Sequence, residues 1–454
     1  MKPSLVKGTR DFNAIQVKKR TYIFDTIREK FELFGFQPLE TPAMENMSTL
    51  TGKYGDEGEK LLFKILNSGD FLKKITPDLV DENQSNQVAP LIAEKGLRYD
   101  LTIPLARYIV LNHGNLTFPF KRYQIQAVWR ADRPQKGRYR EFYQCDADIV
   151  GSTSVLNELE LIQLYDSVFS AFGLEVSIRF NNRQILEGIA SVLGVKDRFN
   201  EFCLVLDKLD KAGAEGVDLE FGKREFPQNL IDNWKSLILI KGTNREKLNF
   251  LADQFEKNSD PTSINEISLL LDYLDSAKIN NPLNFDVSLA RGLSYYTAFI
   301  FEVIDVDGEY GSLGGGGRYD QLTSLFGLDN MPGVGISFGA DRIYDVLEKK
   351  NAFPADSEEI KLVMITNFNK EFTKKLIEIA NDFRIAGIPC EIYPVDDKLK
   401  KQFRYADQKN ISYVLIAGDA EIENNTFSLK NMKSGEQQSG SIEDLIEKVK
   451  KIMH

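Results

Sequence analysis

Two stretches of strictly alternating side chains flank a short basic segment in the first third of the chain. The first alternates Gln124, Gln126 and Arg130 with the apolar Tyr123, Ile125, Ala127 and Trp129. The second alternates Phe142, Gln144, Asp146 and Asp148 with Tyr143, Cys145, Ala147 and Ile149. A period of two is typical of β-strands with one apolar face, which packs on helices, and one polar face. The sequence therefore predicts two antiparallel strands that present a polar floor with two carboxylates.

The segment between the strands, which we call the arginine loop (residues 130–140), concentrates positive charge in a chain whose net charge is −10. Its basic residues are Arg130, Arg133, Lys136, Arg138 and Arg140. Such a local reversal of charge indicates an anion-binding site. The connection exceeds the usual hairpin loop of about 2–5 residues, which predicts a mobile functional loop. A solvated basic turn is the alternative.

Length and composition describe an ordinary globular protein. A chain of 454 residues is long enough for three domains at roughly 150 residues each. Its 42% apolar and 27% charged residues are typical of soluble proteins. No apolar run approaches the roughly 20 residues of a membrane span, and the N-terminus lacks the apolar segment of a secretory signal. We therefore expect a cytoplasmic protein that does not bind membranes.

Cysteine and histidine are scarce. Cys145, Cys203 and Cys390 are widely spaced and form no CxxC motif, so the sequence predicts neither a disulfide framework nor a zinc site. No metal-ligating residues are predicted. His113 and His454 are the only histidines of the sequence, which makes a catalytic histidine improbable on numbers alone. A Walker A motif is absent, which argues against a P-loop enzyme.

Hydrophobic spacing outlines the remaining elements. Ile23, Phe24, Ile27, Phe31 and Phe34 follow a helical period that Gly35 ends. Residues 187–280 are rich in helical patterns, residues 351–359 resemble a linker, and residues 360–454 alternate strands with helices. The pattern predicts an α+β protein with a separate C-terminal α/β domain.

Several motifs, in this order, resemble those of the class II aminoacyl-tRNA synthetases and, within that class, the histidyl-tRNA synthetase family. They are KGTRDF (7–12), LRYDLT (97–102), RPQKGRYREF (133–142), ARGLSYYT (290–297) and GGGGRYD (314–320). The resemblance covers nearly the whole chain and is weakest between about residues 187 and 280. GGGRYD alone is a weak signal, whereas the arginine loop followed by ARGLxYYT is highly specific.

The resemblance implies a fold and partners. Residues 1–350 would form the class II catalytic domain, an antiparallel sheet flanked by helices, interrupted by a helical insertion at about 187–280 that lies over the tRNA acceptor arm. Residues 360–454 would form the anticodon-binding domain. The helix ending at Gly35 and the strand after it would form a homodimer interface, with an ordinary core helix as the alternative. A basic stretch in the C-terminal domain is either a phosphate-binding helix start or a solvated face. It comprises Lys398, Lys400, Lys401 and Arg404.

The implied reaction first activates L-histidine with ATP, with Mg²⁺ on the phosphates, to give histidyl-adenylate and pyrophosphate. Histidine is then transferred from the adenylate to the 3′ end of tRNA(His). DNA is not expected as a partner. Two anions must meet, so cations have to offset their repulsion, and arginine suits this because its planar fork binds phosphate and carboxylate. By resemblance Arg130 bridges the substrate carboxylate and the α-phosphate, and Arg291 faces the α-phosphate. We expect Arg291 to be buried in an apolar strand, where a structural salt bridge is the alternative.

The other implied binding residues divide between the two small substrates. For ATP they are Arg138, Arg140 and Arg342 at the outer phosphates, Phe142 on the adenine, Asp132 near the start of the arginine loop, and glycines 314–317 beside the nucleotide. For histidine they are Asp148 and Tyr296 at the imidazole, Asp100, Thr102 and Gln144 at the ammonium and carboxylate, and Tyr295 and Tyr319 in the pocket wall. Buried polar partners of this kind penalise wrong substrates strongly.

Two departures from the family pattern stand out. Ser294 occupies a position where the family commonly has aspartate, which predicts weaker histidine binding if that position tunes affinity. Asp100, Asp132 and Asp148 replace the glutamates of many bacterial relatives, as in eukaryotic-type sequences. The shorter side chains keep the charge but have less reach.

A rival interpretation is a non-catalytic paralogue, the histidine-binding regulatory subunit of ATP phosphoribosyltransferase. Such proteins typically lack the anticodon domain and lose the arginines, whereas this chain keeps both. A synthetase for another amino acid would require that the RGLxYYT motif be a coincidence. The sequence therefore favours a histidine-specific ligase.

Overall fold

The computed structural model describes residues 2–51, 61–76, 85–134, 137–255, 262–291, 296–307 and 310–453. By compactness the chain divides into two units, one of residues 1–11 and 20–352 and the other of residues 12–19 and 353–454. None of the helices in the described ranges is long and apolar enough to cross a lipid bilayer.

The strands of the described ranges are numbered in chain order. They are β1 (Gln37–Pro38), β2 (Met44–Asn46), β3 (Lys64–Ile65), β4 (Lys95–Leu97), β5 (Phe120–Trp129), β6 (Glu141–Val150), β7 (Val176–Asn182), β8 (Leu283–Phe285), β9 (Phe299–Asp305), β10 (Ser312–Arg318), β11 (Gly333–Gly339), β12 (Ile360–Ile365), β13 (Cys390–Ile392), β14 (Ile411–Ile416), β15 (Phe427–Asn431) and β16 (Gln437–Gly440).

The helices are numbered in the same way. They are α1 (Ala14–Leu33), α2 (Met47–Thr51), α3 (Ser85–Ile92), α4 (Thr102–Asn112), α5 (Leu156–Ala171), α6 (Arg183–Val192), α7 (Phe199–Leu206), α8 (Leu209–Lys223), α9 (Gln228–Ile238), α10 (Asn244–Gln254), α11 (Thr262–Ser276), α12 (Ala340–Lys349), α13 (Thr373–Ile385), α14 (Leu399–Gln408), α15 (Asp419–Glu423) and α16 (Ile442–Met453).

An eight-stranded sheet organises the first unit, in the order β1-β5-β6-β11-β10-β9-β7-β8. Its neighbours are antiparallel except at the two edges, where β1 pairs with β5 and β8 with β7 in parallel. The predicted hairpin is confirmed, since β5 and β6 pair along their full length from Phe120 opposite Val150 to Trp129 opposite Glu141. Long antiparallel strands fix which side chains share a face.

Helix α1 covers the apolar face of this hairpin. Ile23, Ile27 and Phe31 are buried, and the Phe31 ring centroid lies 5.3 Å from that of Tyr123 on β5. Gly35 ends the helical segment with a φ of +77°, a conformation that favours glycine. The predicted helix and its buried face are confirmed. Because the helix packs on the apolar face of the hairpin, the polar face remains available for a binding site.

Residues 183–276 carry helices α6 to α11, which have an aromatic core of their own. Phe202, Phe221 and Trp234 are fully buried, and the Phe221 and Trp234 rings meet edge to face at 5.9 Å. The helical character predicted for this segment is therefore present, and the domain boundaries remain predictions.

The second unit contains a five-stranded sheet in the order β13-β12-β14-β15-β16. Strands β13, β12 and β14 are parallel, as expected where helices α13 and α14 connect them. Leu376, Ile379 and Phe383 on α13 and Leu445 and Val449 on α16 are buried in one core. The predicted α/β alternation of this region is confirmed.

Candidate active site

Strand β6 lies between β5 and β11 and supplies the floor of two adjoining cavities. Its register sets Asp148 opposite Arg122 on β5, and Asp146 opposite Ser337 on β11. Because alternate residues of a strand face the same side, Gln144, Asp146 and Asp148 project together. Cys145, Ala147 and Ile149 are buried beneath the other face, as the sequence predicted.

The inner cavity, of about 290 Å³, is lined with carboxylates, hydroxyls and phenols, a chemistry suited to a small polar molecule. Its lining residues are Leu61, Tyr99, Asp100, Thr102, Arg130, Gln144, Asp146, Asp148, Tyr296, Gly315, Tyr319, Gly335, Ile336 and Ser337. Six of the seven residues predicted for the histidine pocket are among them. Tyr295, the seventh, lies outside the described residues, as do Ser294 and Lys136.

Asp148 is held from two sides at the far end of the inner cavity. Arg122 Nη2 lies 2.8 Å from Asp148 Oδ2, and the Tyr319 hydroxyl donates to Oδ1. Burial raises the pKa of Asp148, while the charge of Arg122 and the Tyr319 hydrogen bond act in the opposite direction. A Cβ at Gly335 would lie 1.9 Å from Asp148 Oδ1, so only glycine leaves room for the carboxylate.

Sequence reasoning missed Arg122. Its side chain is fully buried, and in the sequence it is one more polar position of an alternating strand. Its partner becomes apparent only when the register of β5 against β6 is known. Burial also raises the pKa of Tyr296 and Tyr319, so both phenols keep their protons at neutral pH.

Asp100 and Thr102 reach the inner cavity from the start of helix α4. Asp100 Oδ1 accepts a hydrogen bond of 3.2 Å from the backbone N–H of Ile103 in the first turn of that helix. Arg130 lies where the two cavities join, with its Nε donating to the Tyr99 carbonyl at 3.0 Å and its guanidinium 5.1 Å from the centre of the Phe142 ring. The structure thus brings the predicted substrate groups to the predicted arginine.

The outer cavity, of about 400 Å³, carries the positive charge. Its lining residues are Arg130, Asp132, Gly137, Arg138, Tyr139, Phe142, Tyr143, Gln144, Arg291, Tyr296, Ser312, Leu313, Gly314, Gly315, Ser337, Phe338, Gly339, Asp341 and Arg342. Burial lowers the pKa of Arg342, and the nearby charges of Arg138, Arg291 and Arg130 lower it further. Four arginines that repel one another across one cavity favour an anion with several charges.

Backbone carbonyls hold the side chain of Arg342. It is the third residue of α12, and its Nη1 and Nε donate to the carbonyls of Ser312 and Gly137 at 2.5 and 3.3 Å. The prediction that it lies near the start of a helix is confirmed.

The sequence-based prediction of a buried strand position for Arg291 is wrong. Arg291 lies outside any strand, and its side chain is 43% exposed. Its Nη1 pairs with Glu302 on β9, and its Nε lies 3.8 Å from Asp207 Oδ1. The apolar neighbours that suggested a strand, Leu289 and Ala290, are buried, whereas the arginine itself turns toward the outer cavity.

Two further ATP-side predictions are met only in part. Arg140 lines neither cavity; its backbone N–H donates to the Gly8 carbonyl at 2.8 Å, and its Nε donates to the Asp132 carbonyl at 3.1 Å. Of the four glycines, Gly314 and Gly315 border the outer cavity. Gly316 instead allows β10 to approach β11, since a Cβ there would lie 2.2 Å from the Gly335 carbonyl oxygen.

An N-terminal segment, residues 8–10, braces the arginine loop. Gly8 accepts the Arg140 hydrogen bond, and the Arg10 guanidinium lies 3.3 Å above the Tyr139 ring. Arg10 also pairs with Asp341, whose Oδ2 accepts from the Tyr143 N–H at 3.2 Å. The KGTRDF motif thus links the loop, strand β6 and the helix that carries Arg342.

Metal-binding side chains are not clustered in the described ranges, where no group of three or more His, Cys, Asp or Glu is placed to hold an ion. The three cysteines are buried and unpaired with one another.

Comparisons with known proteins agree on one family. A sequence profile of the histidyl-tRNA synthetase family matches residues 79–343, and one of an anticodon-binding domain matches residues 362–452. The chain is 49% identical to the histidine-tRNA ligases of Phocaeicola vulgatus, with 99% of both chains covered, and of Porphyromonas gingivalis, with 96% of both covered.

Solved structures extend the likeness to the fold. A histidyl-tRNA synthetase from Nostoc sp. is 27% identical with a TM-score of 0.80, and the match covers 99% of both chains. A Bacillus halodurans structure described as an ATP phosphoribosyltransferase regulatory subunit/histidyl-tRNA synthetase is 21% identical with a TM-score of 0.71, covering 92% of this chain and 99% of that one. The second likeness concerns the fold alone.

Proposed function

This chain belongs to the histidyl-tRNA synthetase family, and from that premise we propose how its residues carry out the reaction. It is a class II aminoacyl-tRNA synthetase that ligates histidine to tRNA at the expense of ATP. The near-full-length ligase relatives favour this function over the regulatory one. The assignments of individual residues below are ours.

The observation that carries the mechanism is the junction of the two cavities. Arg130, Gln144 and Tyr296 line both, so a ligand in the inner cavity can meet one in the outer cavity over these side chains. With histidine inside and ATP outside, a carboxylate oxygen of histidine attacks the α-phosphorus. A new O–P bond forms as the bond to pyrophosphate breaks. Arg130 binds both reacting anions at this point.

Charge stabilisation replaces a side-chain nucleophile in this scheme. Arg138 and Arg342 hold the outer phosphates, and Arg291 leaves Glu302 to face the α-phosphate as negative charge builds there. Arg291 is 43% exposed, which leaves its guanidinium room to turn toward the phosphates, whereas Glu302 is only 5% exposed and would need another cation when Arg291 leaves it. Phe142, beneath Arg130, offers its ring to the adenine.

The far end of the inner cavity selects the imidazole. Asp148, kept in place by Arg122 and Tyr319, accepts one imidazole N–H, and the Tyr296 hydroxyl pairs with the other nitrogen. An amino acid without two such groups would leave Asp148 or Tyr296 without its hydrogen bond to the ligand, and a lost hydrogen bond of a buried polar group costs about 1–3 kcal/mol.

Mg²⁺ would accompany the ATP phosphates, which provide oxygen ligands of the kind this ion prefers. Asp132, which lines the outer cavity, and Glu302, once released by Arg291, are carboxylates that could complete its shell. Asp341 is less suitable because Arg10 and Arg20 already pair with it.

The larger substrate and the assembly are also part of this proposal. The C-terminal domain would bind the anticodon of tRNA(His), with Lys398, Lys400 and Arg404 near the start of α14 as phosphate contacts, and helices α6 to α11 would lie on the acceptor arm. We also propose that the protein is a homodimer, that it acts in the cytoplasm and that it does not bind DNA.

Exchange of pyrophosphate into ATP, run with each of the twenty amino acids and without tRNA, tests this function. Exchange that depends on histidine alone is expected. Histidine binding without any exchange would instead support the regulatory paralogue, and the preserved arginines would then need another explanation.

A further inference from the structure

A third cavity, of about 390 Å³, adjoins the outer cavity and is lined by strands β7 and β9 and by the junction of helices α7 and α8. The two cavities share Arg291 and Ser312. The third cavity carries charges of both signs, of which the mechanism above uses only Arg291 and Glu302. Its charged lining residues are Arg179, Asp207, Asp210, Lys211, Arg291 and Glu302. The remaining charges therefore surround the ion pair that opens when ATP binds.

The opening of this pair leaves Glu302 in need of a cation. The Glu302 side chain is 5% exposed, so water cannot solvate its carboxylate fully once Arg291 turns to the α-phosphate. A buried carboxylate that loses its partner costs far more than an exposed one. The strand register shows where a replacement can come from. The residue opposite Glu302 on β10 is Gly315, which has no side chain, and the residue opposite it on β7 is Arg179.

Arg179 lies within reach of Glu302. Residues directly opposite one another on antiparallel strands have Cβ atoms about 4.5–5.5 Å apart, and both of these side chains line the third cavity. In the structure Arg291 occupies Glu302, and the Arg179 guanidinium pairs with other carboxylates. The remaining basic residue that lines this cavity, Lys211, is exposed on α8 and does not lie opposite Glu302. The geometry therefore favours Arg179 as the second cation.

The present partners of Arg179 differ in what their release costs. Arg179 Nη1 lies 3.2 Å from Asp210 Oδ2 and 3.4 Å from Asp286 Oδ2. Asp210 is 66% exposed, so water can solvate its carboxylate when the arginine leaves. Asp286 is mostly buried, but its Oδ1 also accepts hydrogen bonds from the backbone N–H and the hydroxyl of Ser288, at 3.0 and 2.6 Å. Asp210 is therefore the partner that Arg179 can give up at little cost.

We propose that Arg179 is a positioning residue for histidine activation, which pairs with Glu302 when Arg291 turns to the α-phosphate. Arg179 gives up Asp210 in this exchange, so the unpaired charge moves from a buried carboxylate to an exposed one on α8. One carboxylate oxygen of Glu302 then faces Arg179, and the other remains open to Mg²⁺. Arg179 acts only through Arg291, which contacts the phosphate. This inference rests on the proposed function, because it takes ATP as the ligand that draws Arg291 away.

Single-turnover adenylate formation by the full-length protein tests this role. Arg179→Gln should slow the step about 10- to 100-fold, because Glu302 then either keeps Arg291 or stays buried without a partner. The KM for histidine should stay within about twofold, since Arg179 does not line the inner cavity. Asp210→Asn frees Arg179 and should leave the rate unchanged or raise it. Arg245→Gln, which changes an arginine that also pairs with two aspartates, is the matched control.

A double-mutant cycle identifies the partner of Arg179. In a Glu302→Gln background no buried charge needs a cation, so Arg179→Gln should change the rate there by less than about threefold. A loss of the same size in both backgrounds would overturn the proposal. No loss in Arg179→Gln alone would also overturn it, because Mg²⁺ would then be the only cation that Glu302 needs.

The comparison with Asp210 separates positioning from anchoring. Equal losses in Arg179→Gln and Asp210→Asn would overturn the proposal, since Arg179 would then serve only to hold α8 on the sheet. This comparison decides the question alone if Glu302→Gln does not fold. A wild type without histidine-dependent pyrophosphate exchange would instead reject the proposed function itself.

Discussion

The inner and outer cavities differ in how firmly their charged groups are held. Asp148 on the floor is 4% exposed and is fixed by a buried arginine, a phenol and a glycine that leaves it room. The outer cavity instead carries Arg138 and Arg291, which we call the rim. Arg291 is 43% exposed and pairs with Glu302, and ATP has to take the place of this partner. The floor is built on paired strands, whereas Arg138 and Arg291 come from segments outside them.

This difference separates selection from catalysis. Because Arg122 and Tyr319 already position Asp148, the floor can recognise histidine before ATP arrives. A rim arginine that leaves its carboxylate partner can stabilise the negative charge that develops on the α-phosphate during the reaction. Variants of the two regions should therefore fail in different ways.

The largest effect is expected on the rim. Arg291→Ala removes the charge that faces the α-phosphate, so adenylate formation should fall by about 10²- to 10³-fold. Because Glu302 is only 5% exposed, the variant leaves a buried carboxylate without its partner and should also unfold at a lower temperature, so adenylate formation is compared at a temperature where both proteins are folded. Single-turnover adenylate formation measures this, with Arg245→Ala, another exposed ion-paired arginine, as the control. Near-normal turnover of the Arg291 variant would reject its role.

The next effect concerns the floor. Asp148→Ala should raise the KM for histidine by about 10²-fold and leave the KM for ATP within about twofold, since it leaves Arg122 buried without its partner and removes the ring acceptor. Tyr319→Phe, which removes one supporting hydrogen bond, should give a smaller shift in the same direction. Equal increases for both substrates would contradict the imidazole assignment.

A third prediction concerns the effect of Asp146 on the stability of the protein without histidine. The pKa of Asp146, about 7 when folded, is raised above its ordinary value of 3.8 by burial, Asp148 and Asp100, against Arg122 and the Ser337 hydroxyl. The stability linked to its protonated form is complete below pH 3.8 and is lost as the pH rises through about 7. Asp146→Asn should therefore gain roughly 1–3 kcal/mol over the wild type between pH 5 and 8. Denaturant unfolding without histidine measures this, and a gain that does not grow with pH would speak against it.

The smallest effect tests the brace on the arginine loop. Arg10→Ala removes the contacts to Tyr139 and Asp341, so the KM for ATP should rise about three- to tenfold with the KM for histidine unchanged. Arg28→Ala, an exposed arginine paired with Asp25, is the matched control. A change in the histidine KM alone would mean that the N-terminal segment supports the floor and not the rim.

Sequence could predict the floor because its signal is local. Alternation along β5 and β6 fixed which residues share a face, and family motifs supplied Asp100, Thr102, Gln144 and Asp148. Contacts between distant segments left no such signal: Arg10 and Asp341 are 331 residues apart, and Arg122 acquires meaning only through strand register. The predicted burial of Arg291 was wrong because apolar neighbours indicate that a segment is buried. They do not indicate in which direction one long side chain points.

Titration of histidine into the ATP-free protein tests the separation of floor and rim most directly. Wild type, Asp148→Ala and Arg291→Ala would be compared by calorimetry under one buffer. We expect histidine to bind the wild type and Arg291→Ala with Kd values within about threefold of each other, and to bind Asp148→Ala about 10²-fold more weakly. If histidine bound the wild type only when ATP was present, or if Arg291→Ala lost as much affinity as Asp148→Ala, selection and catalysis would not be divided between the two cavities.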